Sequence, residues 1–256
     1  MEVELVIETK DVIVYFIAVL YAVLVLATGD VARRRLNMSP DFTRKIIHLF
    51  AGAAIWTVPY YPHPWVATLV ALTFVIMLGM ASIDRFSNFF SAMARPEDLD
   101  HGSVRGPFWY AVSITVLTGV FTFTGYDRFY FIAAAAIHIM MFGDGMSAPI
   151  GMRYGLNSTR EIFGSKRSTH GCLALFVFGF LGALLAFWWF GIVNYGVFVS
   201  NGNILWLEMI VLALVGSIAA TLVELVSPKG TDNTTLPIAS TVVMLLVGMA
   251  MGLVAL

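Results

Sequence analysis

Asp144 puts a carboxylate among glycines at the end of a long apolar run, in MMFGDGMSAPIGMRYG (residues 140–155). A charge so close to lipid needs a partner or a task. On a helix, Asp144, Ala148, Gly151 and Gly155 fall at i, i+4, i+7 and i+11 and share a face with almost no side-chain bulk. Gly143, Gly145, Gly151 and Gly155 would let a backbone approach a phosphate closely and offer it N–H groups, while Asp144 would hold a Mg²⁺ that bridges the phosphates. The structural alternative is small-residue helix packing, with Asp144 paired to an arginine.

Three more clusters carry groups able to do chemistry. In REIFGSKRSTHG, Lys166 and Arg167 could neutralise a polyphosphate, and Gly164 and Ser165 could leave backbone N–H groups free for it; the plainer reading is a positive-inside signal. In TRKIIHLFAG, Arg44, His48 and Gly52 repeat at i, i+4 and i+8, and a histidine there could contact phosphate or take a proton from an alcohol, or simply bond a neighbouring helix. In ELVSPKGTDNTTLP, Glu224, Asp232 and Asn233 could complete a metal shell or supply a base, although Asp-Asn-Thr-Thr is also ordinary turn chemistry. Asp84 and Arg85 read as a membrane-edge ion pair.

The elements that must position these groups are apolar helices. Hydrophobic residues make up 59% of the 256 and charged residues 12%, with a mean hydropathy of +0.84, which marks an integral membrane protein. About 20 apolar residues cross the hydrocarbon layer, and by that rule eight spans lie near 11–28, 46–61, 64–83, 107–125, 128–148, 171–191, 204–226 and 237–256. The expected fold is therefore all-α, a polytopic bundle of about eight transmembrane helices forming a single domain over residues 1–256. Pro149 is expected to kink or end the fifth span. The acidic start MEVELVIETKD lacks the basic region of a secretory signal, so the first run is expected to stay as a spanning helix.

Basic residues give the orientation. Arg33, Arg34, Arg35, Arg44, Lys45, Arg85, Arg95, Arg105, Arg153, Arg160, Lys166, Arg167 and Lys229 all fall in alternate loops, leaving only Lys10 and Arg128 of the 15 on the other side. Those loops are expected to face the cytoplasm, which puts all four clusters on one side of the membrane. Cys172 is the only cysteine, so there is no intrachain disulfide and no multi-cysteine metal site. The net charge of −1 gives no reason to expect nucleic acid as a partner. Neither a Walker motif, nor a protein-kinase set, nor GxSxG occurs.

At these residues the chain resembles the CTP-dependent polyprenol kinase family, which includes dolichol, phytol and geranylgeraniol kinases. The resemblance rests on RKIIH (44–48), RGPFWY (105–110), GDGMSAPIGMRYG (143–155), GSKRSTHG (164–171) and Glu224 followed by DNTTLP (232–237), in that order. GDGMS and RGPFWY look closest to the phytol kinase branch. Ser147 stands where the family often has alanine and His170 where dolichol-type members commonly have glutamate, so the choice of nucleotide and lipid stays open.

The resemblance implies a kinase that moves the terminal phosphate of CTP, or of ATP or UTP, to a polyprenol, dolichol or phytol-type alcohol, with Mg²⁺. It assigns Gly143, Gly145, Gly151, Gly155, Gly164, Ser165, Lys166, Arg167, Arg44, Lys45 and Asn233 to the nucleotide, Asp144 and Asp232 to the metal, and Asp232, Glu224 or His48 to the base. The expected partners are a lipid alcohol, a nucleoside triphosphate and the bilayer, and the expected location is the cell membrane with the site on the cytoplasmic side. A CTP-dependent cytidylyltransferase making a CDP-lipid would use similar groups, and a transporter with a broken fifth helix is a reading from another class.

Overall fold

The computed structural model describes residues 5–80, 105–162, 165–194, 204–228 and 230–254. Asp84, Arg85, Arg95, Gly164 and Lys229 fall outside them. The regular structure of the described residues is helical apart from one two-stranded hairpin, and the chain divides into two compact units, one from Glu4 to Gly119 and one built on Val120–Leu256.

The first unit holds α1 (Thr9–Arg35), α2 (Pro40–Ala51), α3 (Val66–Met80) and α4 (Arg105–Phe123), the last crossing into the second unit's residues. Two side chains set the starts of α1 and α2. Asp11 accepts from the Glu8 N–H at 2.9 Å, and Ser39 accepts from the Phe42 N–H, so each satisfies a donor that a helix start would leave unpaired. Asp11 also accepts from the His63 backbone N–H at 3.0 Å and lies 2.8 Å from its Nδ1, which clasps the start of α1 to the turn before α3. Leu26, Ile47, Leu78 and Ala111, one from each helix, form the buried cluster of this unit.

The second unit is built around one long helix. Asp127–Tyr154 runs for 28 residues as a short 3-10 turn, then α5 (Tyr130–His138), a wide π turn over Ile139–Asp144, and α6 (Gly145–Tyr154). Every residue from Tyr130 to Met140 is buried, as expected of a helix that is apolar all round. Around it pack α7 (Thr169–Ala186, prolonged by a π segment to Val193), α8 (Trp206–Val226) and α9 (Asp232–Ala250). Between α6 and α7 lies the hairpin, β1 (Arg160–Ile162) with β2 (Ser165–Arg167).

Each of the eight expected spans falls on helix in its described residues, and among the described residues six helices are long and apolar enough to cross a membrane. The third span is a shorter helix of 15 residues. The second is α2 running directly into a 3-10 segment, Gly52–Tyr60, whose steeper rise gives the pair a length of about 36 Å. Of the two outcomes expected at Pro149, a kink or an end, the end does not occur: the helix continues to Tyr154. The irregularity falls one turn earlier, in the π turn, next to Gly145, whose carbonyl the proline ring crowds and to which proline has no N–H to donate.

Candidate active site

Asp144 closes the π turn of the central helix and is 7% exposed. Seventeen residues separate it from the start of that helix at Asp127, about 25 Å along the axis, against about 30 Å of hydrocarbon. The carboxylate therefore sits near one edge of the membrane, and the last ten residues of the helix run on past it. π turns recur at functional sites because the widened turn re-aims the side chains that follow.

The glycines around Asp144 have a definite structural use. A Cβ on Gly143 would lie 2.9 Å from the Leu175 carbonyl oxygen and 3.3 Å from Gly179 Cα, and one on Gly151 would lie 2.8 Å from Ser168 Oγ and 3.3 Å from Gly171 Cα. One on Gly155 would collide with Ser168. These glycines let α6 and the π turn lie directly against α7. α6 follows the π turn without a break: the Gly145 N–H donates to the Met141 and Phe142 carbonyls, and the Gly155 N–H to the Gly151 carbonyl at 2.9 Å. Close helix packing, the alternative weighed from the sequence, accounts for Gly143, Gly151 and Gly155.

The hairpin separates two residues that the sequence joins. Arg160 faces Arg167, Glu161 faces Lys166 and Ile162 faces Ser165. Since side chains alternate along a strand, Lys166 points away from Arg167. Lys166 is exposed, whereas Ser165 is buried and Arg167 turns inward. The Arg167 Nη1 donates to Glu224 Oε1 at 2.8 Å, with the two side chains only 13% and 4% exposed. Its Nε is buried and donates to no group among the described residues.

Glu224 lies in the last turn of α8, and the chain then turns straight into α9. Ser227 Oγ and Thr235 Oγ1 are 2.7 Å apart and hold that turn together. Asp232 and Asn233 open α9 and are both buried, with the Asp232 Oδ1 accepting from the Asn233 N–H at 3.0 Å. The start of α7 is closed in the same region: Ser168 caps it by accepting from the Gly171 N–H at 3.1 Å, and Ser158 Oγ accepts from the Thr169 N–H at 3.3 Å. Three of the four clusters thus meet at one end of the second unit. Ser168 is a residue the sequence reading passed over, although a serine just before an apolar run is a helix-start signal.

Arg44, Lys45 and His48 belong to α2 of the first unit, where Lys45 and His48 are buried and Arg44 is half-buried. There the His48 ring packs on Tyr110, with centroids 4.4 Å apart, and the Tyr110 hydroxyl donates to the His48 carbonyl at 2.9 Å. RKIIH and RGPFWY, separate motifs in the sequence, are therefore parts of one arrangement. No role was read for Tyr110 from the sequence; the pairing of the two motifs is the signal that would have found it.

Among the described residues no group of three or more His, Cys, Asp or Glu side chains could cage a metal. Mg²⁺ does not require one, because it keeps several waters and is usually bound through one or two carboxylates plus substrate phosphates. Asp144 and Asp232, both oxygen donors in the second unit, fit that demand.

No protein-family model and no solved structure matches the chain. It is similar to the phytol kinase of Synechocystis sp., with 30% identity over 229 residues, covering 89% of this chain and 88% of the relative. It is also similar to probable phytol kinase 1, chloroplastic, of Oryza sativa subsp. japonica, 26% identical over 230 residues (85% and 67% of the two chains), and to the probable chloroplastic phytol kinase of Zea mays, 25% identical over 232 residues (86% and 71%). With the motifs in place on an all-helical membrane scaffold and that identity running over nearly the whole of both chains, the protein belongs to the polyprenol/phytol kinase family.

Proposed function

We propose that this protein is a lipid-alcohol kinase that transfers the terminal phosphate of a nucleoside triphosphate, CTP before ATP or UTP, to the hydroxyl of phytol or a similar isoprenoid alcohol. The observation that carries the reading is the 30% identity to a phytol kinase over 89% of the chain. The gathering of Asp144, Arg167, Glu224 and Asp232 at one end of the second unit supports it. A lipid alcohol can bring its hydroxyl to the membrane edge while its chain stays in the bilayer.

Phosphoryl transfer needs chiefly positioning and charge stabilisation. Asp144 and Asp232 would hold Mg²⁺, which when bound neutralises charge on the phosphates. Arg167, fixed by Glu224, presents a guanidinium of set orientation to the nucleotide, and Asn233 adds an amide. Gly143, Gly151 and Gly155 serve by holding the Asp144 helix against α7. Glu224 is a poor choice of base, because its Oε1 already accepts from Arg167; Asp232 and His48 remain as the groups proposed to take the hydroxyl proton.

The test is product analysis with purified protein, Mg²⁺, each labelled nucleoside triphosphate and a panel of lipid alcohols and lipid phosphates. A nucleoside diphosphate and a lipid monophosphate are expected. Release of pyrophosphate with a CDP-lipid would replace the kinase by the cytidylyltransferase. The site is proposed to face the cytoplasm from the cell membrane, so reporters fused after Arg34 and Arg160 should behave as cytoplasmic and one in the turn at His63 as external. Arg34 and Arg160 on opposite sides would remove that orientation.

A further inference from the structure

The register of the hairpin gives its two faces different charge. Residues directly opposite one another in an antiparallel pair point to the same side, and neighbours along a strand point to opposite sides. Arg160, Ile162, Ser165 and Arg167 therefore share one face, and Glu161 and Lys166 share the other. Burial agrees: Glu161 and Lys166 are both exposed, while Ser165 is buried and Ile162 and Arg167 are partly so. The outer face is neutral within itself, a glutamate across from a lysine.

The inner face puts two arginines directly across from each other, and like charges so placed destabilise a strand pair. Glu224 answers one of them, through the Nη1 of Arg167. The Nε of Arg167 is buried and meets no acceptor among the described residues, and Arg160 beside it is exposed at the open edge of the face. Two guanidiniums, one held by Glu224 and one exposed, on the same face as Ser165, form an arrangement that a polyanion with several oxygens would complete. Lys166 cannot reach that face without breaking the register.

We infer that Arg160 and Arg167 together grip the phosphates of the donor nucleotide, so that Arg160, and not Lys166, is the second phosphate-binding residue of the hairpin. This rests on the lipid-alcohol kinase reading, and it concerns the phosphate chain alone, so it holds whichever base the nucleotide carries. Arg160 counts in the sequence only as a marker of the cytoplasmic side; the pairing Arg160 to Arg167 is what gives it a second role.

The experiment uses the full-length protein in detergent with MgCTP and phytol, and also inorganic tripolyphosphate, which carries the phosphates without a base. Arg160→Gln should raise the KM for MgCTP and the Ki for tripolyphosphate about tenfold, with the KM for phytol changed less than about twofold. The rise in Tm that MgCTP or tripolyphosphate produces should shrink in parallel, and Arg160→Lys should recover part of each effect. Glu161→Gln, on the outer face, should stay within about twofold of the wild type. The inference fails if Arg160→Gln binds MgCTP normally, if Lys166→Gln weakens it more than Arg160→Gln does, or if the substitution raises the KM for phytol instead. A wild-type protein that makes no lipid phosphate with any nucleotide would remove the kinase reading, and the Tm response to tripolyphosphate would still decide the role of Arg160.

Discussion

Asp144→Asn is expected to lower phosphoryl transfer by about a hundredfold to a thousandfold while leaving the protein folded. The substitution keeps the volume of the side chain, so the contacts that Gly143 and Gly151 make with α7 stay intact. What it removes is one negative charge, 7% exposed, at the end of a π turn near the membrane edge. An amide oxygen is a much weaker Mg²⁺ ligand than a carboxylate and cannot balance the metal's charge. Turnover measured as lipid phosphate formed, together with Tm in detergent, separates the two possible roles. A folded Asp144→Asn protein with near-normal turnover would assign the carboxylate to helix packing and leave the metal without its chief ligand.

The second large effect is on stability. Arg167 and Glu224 form an ion pair that is almost wholly out of solvent, and removing one member of such a pair costs about 3–5 kcal/mol because the other keeps its desolvated charge. Arg167→Ala should therefore lower Tm markedly as well as weaken nucleotide binding. Glu224→Gln should cost less, since an amide oxygen still accepts from Nη1. Replacing both by methionine should return much of the lost stability, as apolar replacements of buried pairs often do, without returning activity. A double-mutant cycle on Tm and on the KM for MgCTP reads the two roles apart. Should Arg167→Ala prove as stable as the wild type, the pair would be no anchor for the hairpin, and the fixed orientation argued for its guanidinium would fall with it.

Much of this protein is legible from the sequence because the bilayer makes local rules decisive. In hydrocarbon every backbone group must be satisfied within its own segment, so each long apolar run becomes a helix wherever it packs, and the basic residues mark one side. Glu224 and the Asp232–Asn233 pair could be placed at helix ends by counting residues from the apolar runs, and the order of five motifs carried the family.

The contacts themselves were not legible. Lipid tails are as apolar as a protein core, so hydropathy does not distinguish the buried helix at Asp127–Tyr154 from its lipid-facing neighbours. That helix could be recognised as the centre of its unit only once α7, α8 and α9 were packed around it. For the same reason the packing of Gly143, Gly151 and Gly155 against Leu175, Gly171 and Ser168 is decided only in the folded chain. Arg167 meets Glu224 across 57 residues, and Tyr110 meets His48 across 62, separations at which no periodicity in the chain can choose a partner. Lys166 and Arg167 part for a different reason: a short polar stretch has no apolar pattern to reveal a strand, and only the hairpin's register, with its two-residue alternation, decides which of the two faces the bundle.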